Sequence, residues 1–217
     1  MVADRRTDVT RRGFLVGLGA GGAAFAALYT ADRPIQQAVL TLRGPALDAV
    51  DDSISWFGNI RVMLPVAAAS WIGARLLRLD GPARLFLDWL AGLVATAAIV
   101  GALKYGTGRW GPGPGLDVGP SDVWQGPHAN PKRTSFPSAH AAVAFANATA
   151  LGRLRPDSRV FQGFLYGFAG LVTLSRVYNG AHWASDSVAG AVIGHQAVAG
   201  ASLIPWPDRI APRPRTD

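Results

Sequence analysis

The side chains that could do chemistry in this sequence are concentrated in three short polar stretches between long apolar runs. In the last of them, Arg176 precedes His182 by six residues and Asp186 follows it by four. If the chain becomes helical at His182, a spacing of four places the carboxylate beside the imidazole, where it accepts a hydrogen bond from one ring nitrogen. The other ring nitrogen then keeps a free lone pair, as in a histidine nucleophile or base. The alternative is that both are ordinary polar residues capping a helix.

The other two stretches carry groups that suit a phosphate. Residues 137–140 read Pro-Ser-Ala-His and open an apolar run, so backbone donors at a helix start, a hydroxyl and an imidazole come together. Residues 104–109 read Lys-Tyr-Gly-Thr-Gly-Arg and form a basic loop directly after another apolar run. Arg176 adds a planar fork of donors that matches phosphate oxygens. The three stretches together predict a phosphate site.

These stretches resemble the three-part signature of the phosphatidic acid phosphatase type 2 superfamily. The third part matches at every defining position, namely Ser175, Arg176, His182, Ser185 and Asp186. The second part usually reads Pro-Ser-Gly-His, and here Ala139 replaces the glycine. The first part usually has an arginine and a proline starting seven residues after its lysine, where this chain has Gly111 and Pro112. Many members carry an additional arginine five residues after the lysine, and Arg109 stands there.

The resemblance covers residues 104–186 and implies a role for each matched side chain. His182 attacks the phosphorus and forms a phosphohistidine, with Asp186 holding its tautomer. His140 protonates the leaving alcohol and later takes a proton from the hydrolytic water. The phosphate oxygens are held by backbone donors at the start of the fourth apolar run and by four side chains, those of Lys104, Arg109, Ser138 and Arg176. This mechanism requires no metal and no other cofactor.

Composition favours one integral membrane domain over the whole chain, residues 1–217. Of the 217 residues, 49% are hydrophobic and 16% are charged. The absence of cysteine excludes disulfide and thiol chemistry. The net charge of +7 could indicate nucleic acid, but the basic residues are scattered and form no stripe interleaved with aromatic residues. The predicted partners are therefore membrane lipids and a lipid phosphate substrate. Composition does not indicate an oligomeric state.

Six uncharged or nearly uncharged runs predict an all-α bundle of six transmembrane helices. They span residues 13–30, 56–77, 85–103, 138–152, 160–175 and 187–204. Several are shorter than the roughly 20 residues that cross a bilayer, and each alone could be a buried helix of a soluble protein. Residues 31–55 are mixed in character and are predicted to lie on the membrane surface. The Gly- and Pro-rich stretch 111–136 is predicted to form a loop over the site.

The distribution of basic residues predicts the orientation in the membrane. If the six runs cross in turn from an inside N-terminus, thirteen of the 21 Lys and Arg residues lie on the inside. The three polar stretches then all lie on the outside. The expected location is a bacterial inner membrane, with the active site facing the periplasm or exterior. Residues 1–12 form a basic tail before the first membrane helix; the alternative is a twin-arginine export signal with a cleavage site at 24–26.

The favoured function is hydrolysis of a lipid phosphate monoester or pyrophosphate. Candidate substrates are phosphatidic acid, phosphatidylglycerol phosphate, undecaprenyl pyrophosphate and lipid A phosphates, and the motifs do not distinguish among them. Vanadium haloperoxidases are similar at these motifs and bind vanadate where phosphate would lie. A non-catalytic lipid-binding or transport protein is a further alternative, motivated by Gly111 in place of the arginine. Transfer of the phosphoryl group to another lipid alcohol is also open.

Five other polar residues are assigned roles outside the chemistry. His195 lies within the sixth apolar run, where a polar group is expected to be paired inside the bundle. Asp88, Arg61 and Asn147 are expected to pack or pair with neighbouring groups. His128, in the loop before the second motif, is interpreted as a solvated loop histidine; the alternative is that it gates the site or contacts substrate.

Overall fold

Helices make up nearly all of the regular structure in the computed structural model, which describes residues 5–113, 120–130, 133–208 and 210. In chain order they are α1 (Arg5–Leu40), α2 (Pro45–Ile54), α3 (Ile60–Leu76), α4 (Asp80–Thr107), α5 (Ala139–Gly152), α6 (Arg159–Tyr178) and α7 (Ala184–Ala201), with a 3-10 turn at Ser55–Gly58. Within the described ranges there is no strand, only an isolated antiparallel bridge between Arg109 and Trp124. The predicted all-α fold is confirmed.

Three of these helices are long and apolar enough to cross a membrane. They cover Leu15–Leu40, Asp80–Thr107 and Arg159–Tyr178. Each of the six predicted apolar runs overlaps one helix, but α3, α5 and α7 do not meet the same length and hydropathy requirements. The count of six crossings therefore stays a prediction. Parts of the predicted tail, loop and C-terminus lie outside the described residues, namely 1–4, 114–119, 131–132, 209 and 211–217.

Helix α1 is longer than the predicted first run, and it takes in the first part of the segment expected on the membrane surface. It continues to Leu40 because two polar side chains on its last turns, Asp32 and Gln36, are fully buried. Asp32 accepts a hydrogen bond from the backbone of Ser185 at 2.9 Å, and Gln36 donates to the carbonyl of Val177 at 3.1 Å. The last turns of α1 are thus held against the junction of α6 and α7.

Helices α5 and α7 pack with their backbones almost in contact. A Cβ added at Gly194 would lie 1.8 Å from the carbonyl oxygen of Ala142, and one added at Gly190 would lie 2.3 Å from that of Ser138. Small residues four apart on one helix allow this approach, and van der Waals contact along the seam then holds the helices together. The first turns of α5 and α7, which carry the second and third motifs, are therefore neighbours.

One buried amide connects three elements of the core. Asn147 on α5 accepts a hydrogen bond from Trp89 Nε1 on α4 at 2.8 Å. Its own amide nitrogen donates to the carbonyl of Phe57 in the 3-10 turn at 2.6 Å. Because each polar atom has a partner, burial of this side chain costs little and fixes the register of α4 against α5. The prediction that Asn147 packs or pairs in the bundle is confirmed.

We expect Gly194→Ala to destabilise the protein, because the added methyl group must push the α7 backbone away from Ala142. Overpacking of this kind costs about 1–3 kcal/mol. Thermal unfolding in detergent should report a lower melting temperature.

Gly200→Ala is the matched control. Gly200 lies on the same helix, and an added Cβ there meets nothing within 4 Å. Alanine in an open helical position is favoured by about 0.5–1 kcal/mol, so this variant should be as stable as the parent or more so. Equal melting temperatures for the two variants would contradict the close packing of α5 and α7.

Candidate active site

The ends of four helices bring the three polar stretches together at one end of the bundle. Lys104 lies in the last turn of α4, and Arg176 lies in the last turn of α6. Ser138 caps the start of α5, with His140 in its first turn, and Asp186 lies in the first turn of α7. His182 lies in the connection between α6 and α7. All seven residues predicted for the site, including Arg109, belong to this end of the structure.

Helix α4 ends just after Lys104 because of a glycine. Gly108 has φ 63°, a left-handed conformation that glycine adopts without steric cost, and its N–H bonds the carbonyl of Lys104 at 3.2 Å. A Cβ at this position would lie 2.6 Å from the carbonyl oxygen of Gly126. The turn directs the chain inward, so that Arg109 enters the bundle directly after the helix.

The imidazole of His182 is held by a backbone carbonyl. Its Nδ1 lies 2.7 Å from the carbonyl oxygen of Ser135, and the side chain is buried, with 8% of the residue exposed. A carbonyl can only accept, so Nδ1 carries the proton and Nε2 keeps the lone pair. The backbone N–H of His182 donates to the carbonyl of Arg176 at 3.2 Å. The imidazole ring and the backbone of His182 are therefore both held by hydrogen bonds.

The expected hydrogen bond from His182 to Asp186 is replaced by a different arrangement. The expectation required the chain to be helical at His182, but α7 begins at Ala184, so the helical spacing of four does not apply. Asp186 instead accepts from the backbone N–H of Trp183 at 3.1 Å and from the hydroxyl of Ser135 at 2.5 Å. The carboxylate thus reaches His182 through Ser135, which contacts both residues.

Arg109 is fully buried, and all five of its N–H donors are used inside the protein. Nη1 bonds Asp186 at 2.5 Å and the hydroxyl of Ser185 at 2.7 Å. Nη2 bonds Asp32 at 2.7 Å and the carbonyl of Ser121 at 2.7 Å, which also accepts from Nε at 3.0 Å. The guanidinium lies over three aromatic rings, those of Tyr29, Trp124 and Trp183. No donor of Arg109 is left for a ligand in this arrangement, which favours a structural role for this side chain over the predicted contact with phosphate.

The guanidinium of Arg176 is hydrogen-bonded within the protein through Nε and Nη2. Nε and Nη2 donate to Ser175 Oγ at 3.1 and 3.0 Å, and Nη2 also forms an ion pair with Asp51 on α2. Asp51 accepts a second hydrogen bond from Asn179 at 3.0 Å. Among the described residues Nη1 of Arg176 has no partner, so part of the fork remains available to an anion.

Ser138 and Lys104 contact the backbone around His182. Ser138 is fully buried; its N–H donates to the carbonyl of Asp186 at 3.0 Å and its hydroxyl accepts from Ala141 at 3.4 Å. Lys104 Nζ donates to the carbonyl of Thr134, next to Ser135. The ammonium group is near enough to His182 and to Asp186 for their charges to interact.

A cavity of about 300 Å³ lies beside His140 and is lined also by Gly58, Asn59 and Arg61. Arg61 is exposed, and its side chain adds positive charge to this opening. Arg61 was expected to pack or pair with neighbouring groups, but that expectation did not include its exposed position at the cavity. Asp32, Asp51 and Ser135 are three further residues of the site that the motifs do not include. The four-residue spacing of Asp32 and Gln36 in the sequence is the signal that a polar face continues along α1.

Burial lowers the pKa of His182 well below its ordinary value of 6.5, and the nearby positive charge of Lys104 lowers it further. The ring is therefore neutral at neutral pH, as a nucleophile requires. Within the described residues no group of three or more His, Asp or Glu side chains is arranged to hold a metal ion.

The chain belongs to the PAP2 superfamily, whose family model matches residues 85–209, more than half of the chain. The resemblance of the three stretches to this family is confirmed.

A curated relative and two solved structures are similar to this chain. Lipid A 1-phosphatase of Porphyromonas gingivalis is 36% identical over 105 residues, which are 48% of this chain and 20% of that protein. The match thus spans about a fifth of the relative's length. The crystal structure of Aquifex aeolicus LpxE has a TM-score of 0.55 at 20% identity and covers 79% of this chain and 94% of that one.

The second structure is that of the first transmembrane PAP2 type phosphatidylglycerolphosphate phosphatase from Bacillus subtilis. Its TM-score is 0.58 at 22% identity, over 88% of this chain and 93% of that one. At these identities the two structures establish that the fold is shared. The membrane character of the chain follows from its apolar helices and these relatives together.

We expect Lys104→Met to raise the pKa of His182 toward 6.5, because the substitution removes a cation that disfavours the imidazolium ion. In the parent protein His182 should therefore become protonated only in acid well below pH 6.5, and in the variant at a higher pH. Histidine-selective NMR titration measures both midpoints.

Signals of the four histidines can be assigned with single His→Ala variants. His195, at the other end of α7 from the site, serves as the internal reference in each spectrum. A His182 midpoint that is the same with and without Lys104 would contradict the contact between the two groups.

Proposed function

We propose that this protein is a membrane phosphatase that hydrolyses a lipid phosphate monoester or pyrophosphate through a phosphohistidine. The observation that carries the proposal is the state of His182, which is neutral, fixed through Nδ1 and left with a lone pair on Nε2. Cationic groups on α4 and α6 lie around this ring. A buried neutral imidazole among cations is suited to attack a phosphorus atom that arrives with its negative charge.

In the first step Nε2 of His182 forms a bond to phosphorus as the bond to the leaving oxygen breaks. The imidazole becomes cationic and keeps its Nδ1–H bonded to the Ser135 carbonyl. Asp186, held against the hydroxyl of Ser135, places a negative charge near this cation and stabilises it. His140 gives a proton to the leaving alcohol, so it must be in its imidazolium form when the phosphate anion is bound. The cavity beside His140 is the position that we assign to this alcohol.

In the second step water attacks the phosphorus and the bond to Nε2 breaks, which restores the neutral imidazole. His140 takes the proton from this water, so the two steps return it to its starting state. Inorganic phosphate is the product. In both steps the equatorial oxygens are held by Lys104, the free Nη1 of Arg176 and the α5 start at Ser138, the last of which is fully buried.

The phosphate clamp of this chain has fewer cations than the family motif provides. The family's arginine position is occupied by Gly111, where an added Cβ would lie 3.4 Å from the carbonyl of Ala181 and 3.5 Å from Ser135 Oγ. That position borders the site but carries no side chain here. Because Arg109 is paired with the carboxylates of Asp186 and Asp32, Lys104 and Arg176 remain as the two cations at the phosphate. Arg61 lies at the cavity mouth.

The proposed substrate class is a lipid with a phosphate group on its polar end. The curated relative is named for the 1-phosphate of lipid A, and a structural neighbour is named for phosphatidylglycerolphosphate. We propose that this chain acts on a lipid of this kind, with the site on the outer membrane face. The orientation is supported by the α3–α4 and α5–α6 junctions, which carry Arg75, Arg78, Arg84, Arg153, Arg155 and Arg159 at the end opposite the site.

We expect the detergent-purified protein to release phosphate from one of these lipid phosphates in the presence of EDTA. His182→Ala should abolish both phosphate release and the acid-labile, base-stable phosphoenzyme that can be trapped from the parent protein. His140→Ala should lower turnover by about 10²–10⁴, the usual contribution of a general acid or base.

His128→Ala is the matched control, because this histidine lies in a loop, where its Nδ1 accepts from the backbone of Asn130 at 2.9 Å. We expect its activity to equal that of the parent. Full phosphate release by folded His182→Ala protein would exclude the phosphohistidine mechanism. Absence of release from every lipid tested would favour a binding or transport protein.

A further inference from the structure

A second polar cavity lies at the end of the bundle opposite the candidate active site. It has a volume of about 350 Å³, and the side chains that line it include Thr149, Arg153, Gln162, Tyr166 and His195. Arg153 follows His140 by thirteen residues along α5 and its C-terminal cap, a rise of about 20 Å in a helix. None of these side chains belongs to the mechanism described above.

Three of these side chains form a partly buried hydrogen-bonded cluster. Thr149 donates its hydroxyl proton to the carbonyl of Phe145 at 2.7 Å, so its oxygen can only accept from the others. Tyr166 OH lies 3.1 Å from that oxygen, and His195 Nδ1 lies 2.9 Å from it. His195 therefore carries its proton on Nδ1, and the expectation that it pairs within the bundle is confirmed. Its Nε2 has no partner among the described residues.

Arg153 is a half-buried cation at the wall of this cavity. Among the residues that the structure describes, its guanidinium forms no hydrogen bond and no ion pair. Asp88 on α4 is near enough for its charge to act on Arg153, but that carboxylate accepts a hydrogen bond from Trp206 Nε1 at 2.8 Å. Asp88 forms no ion pair with Arg153 and only partly offsets the hydration that the cation has lost, so a bound anion in the cavity would stabilise it further.

An apolar groove of about 360 Å³ adjoins the polar cavity, and the two share Tyr166 and His195. The groove is lined by α1 at Gly21 and Ala24 and by α7 at Ala191. A positively charged polar pocket that continues into an apolar groove matches a ligand with an anionic head and a hydrocarbon chain. A small anion would leave the groove empty, and a neutral hydrocarbon would leave Arg153 unpaired.

We propose that this end of the bundle binds an anionic phospholipid as a ligand that is not hydrolysed. Its phosphate pairs with Arg153, and one acyl chain lies in the groove between α1 and α7. Binding connects the end of α5 to α1, so the lipid stabilises the bundle from the end opposite the active site.

The test is lipid binding by the full-length protein in neutral detergent, measured by native mass spectrometry on folded protein. Phosphatidylglycerol, phosphatidylcholine and inorganic phosphate are the three probes. We expect phosphatidylglycerol to bind, and Arg153→Gln to weaken its binding about tenfold or more, the usual cost of losing a charged hydrogen bond. Arg153→Lys should recover part of the affinity.

Arg155→Gln is the matched control, since it removes the same charge two residues away, where the exposed guanidinium lies over Phe161. This variant should bind phosphatidylglycerol like the parent. Ala191→Phe fills the groove without changing charge and should weaken phosphatidylglycerol binding but not phosphate binding.

Equal affinity of Arg153→Gln and Arg155→Gln for phosphatidylglycerol would overturn the proposal. So would equal binding of phosphatidylglycerol and phosphatidylcholine. If inorganic phosphate binds through Arg153 as tightly as the lipid does, and Ala191→Phe changes neither, the site is a small-anion site and the lipid proposal is wrong.

Discussion

The guanidinium of Arg109 lies between the carboxylates of Asp32 and Asp186, and the organisation of the active-site end depends on this buried arrangement. All three side chains have no measurable exposure. Charges buried this deeply are tolerated only when each is paired and hydrogen-bonded, and the five donors of Arg109 meet that condition. One cation against two anions leaves an excess of negative charge, which the ammonium group of nearby Lys104 offsets. The start of α7, the end of α1 and the loop after α4 are thereby held together.

This network reaches the proposed nucleophile through one residue. The hydroxyl of Ser135 donates a hydrogen bond to Asp186, and its carbonyl accepts one from Nδ1–H of His182. The backbone N–H of Ser135 donates to the carbonyl of Arg109 at 3.1 Å. A displacement of Asp186 would therefore move the acceptor of His182 as well. The carboxylate orients the imidazole indirectly, by fixing the peptide that holds it. Its negative charge remains near enough to favour the cationic ring of a phosphohistidine.

The parts of the site that could be predicted from sequence are those set by local spacing. The three polar stretches, the helix starts at Ser138 and near Asp186, and the all-α fold follow from motifs and from apolar runs. The direct His182–Asp186 bond was a wrong prediction, since local spacing does not reveal that α7 begins two residues after the histidine. The role of Arg109 could not be predicted because its partner Asp32 lies 77 residues away, on a helix whose end looked like a surface segment. Pairing of distant charges is decided by helix packing, and here glycines at the α5–α7 contact set that packing.

The ion pair with Asp32 makes Arg109 a structural cation. A double-mutant cycle on the free energy of unfolding, with Arg109→Met, Asp32→Asn and the two combined, tests it most directly. Arg109→Met alone removes the ion-pair partner of two buried carboxylates and should cost about 3–5 kcal/mol. Because Asp32→Asn removes one of those carboxylates, the combined variant should be no less stable than Arg109→Met. Additive losses in the combined variant would show that the two residues do not interact, and would contradict the account.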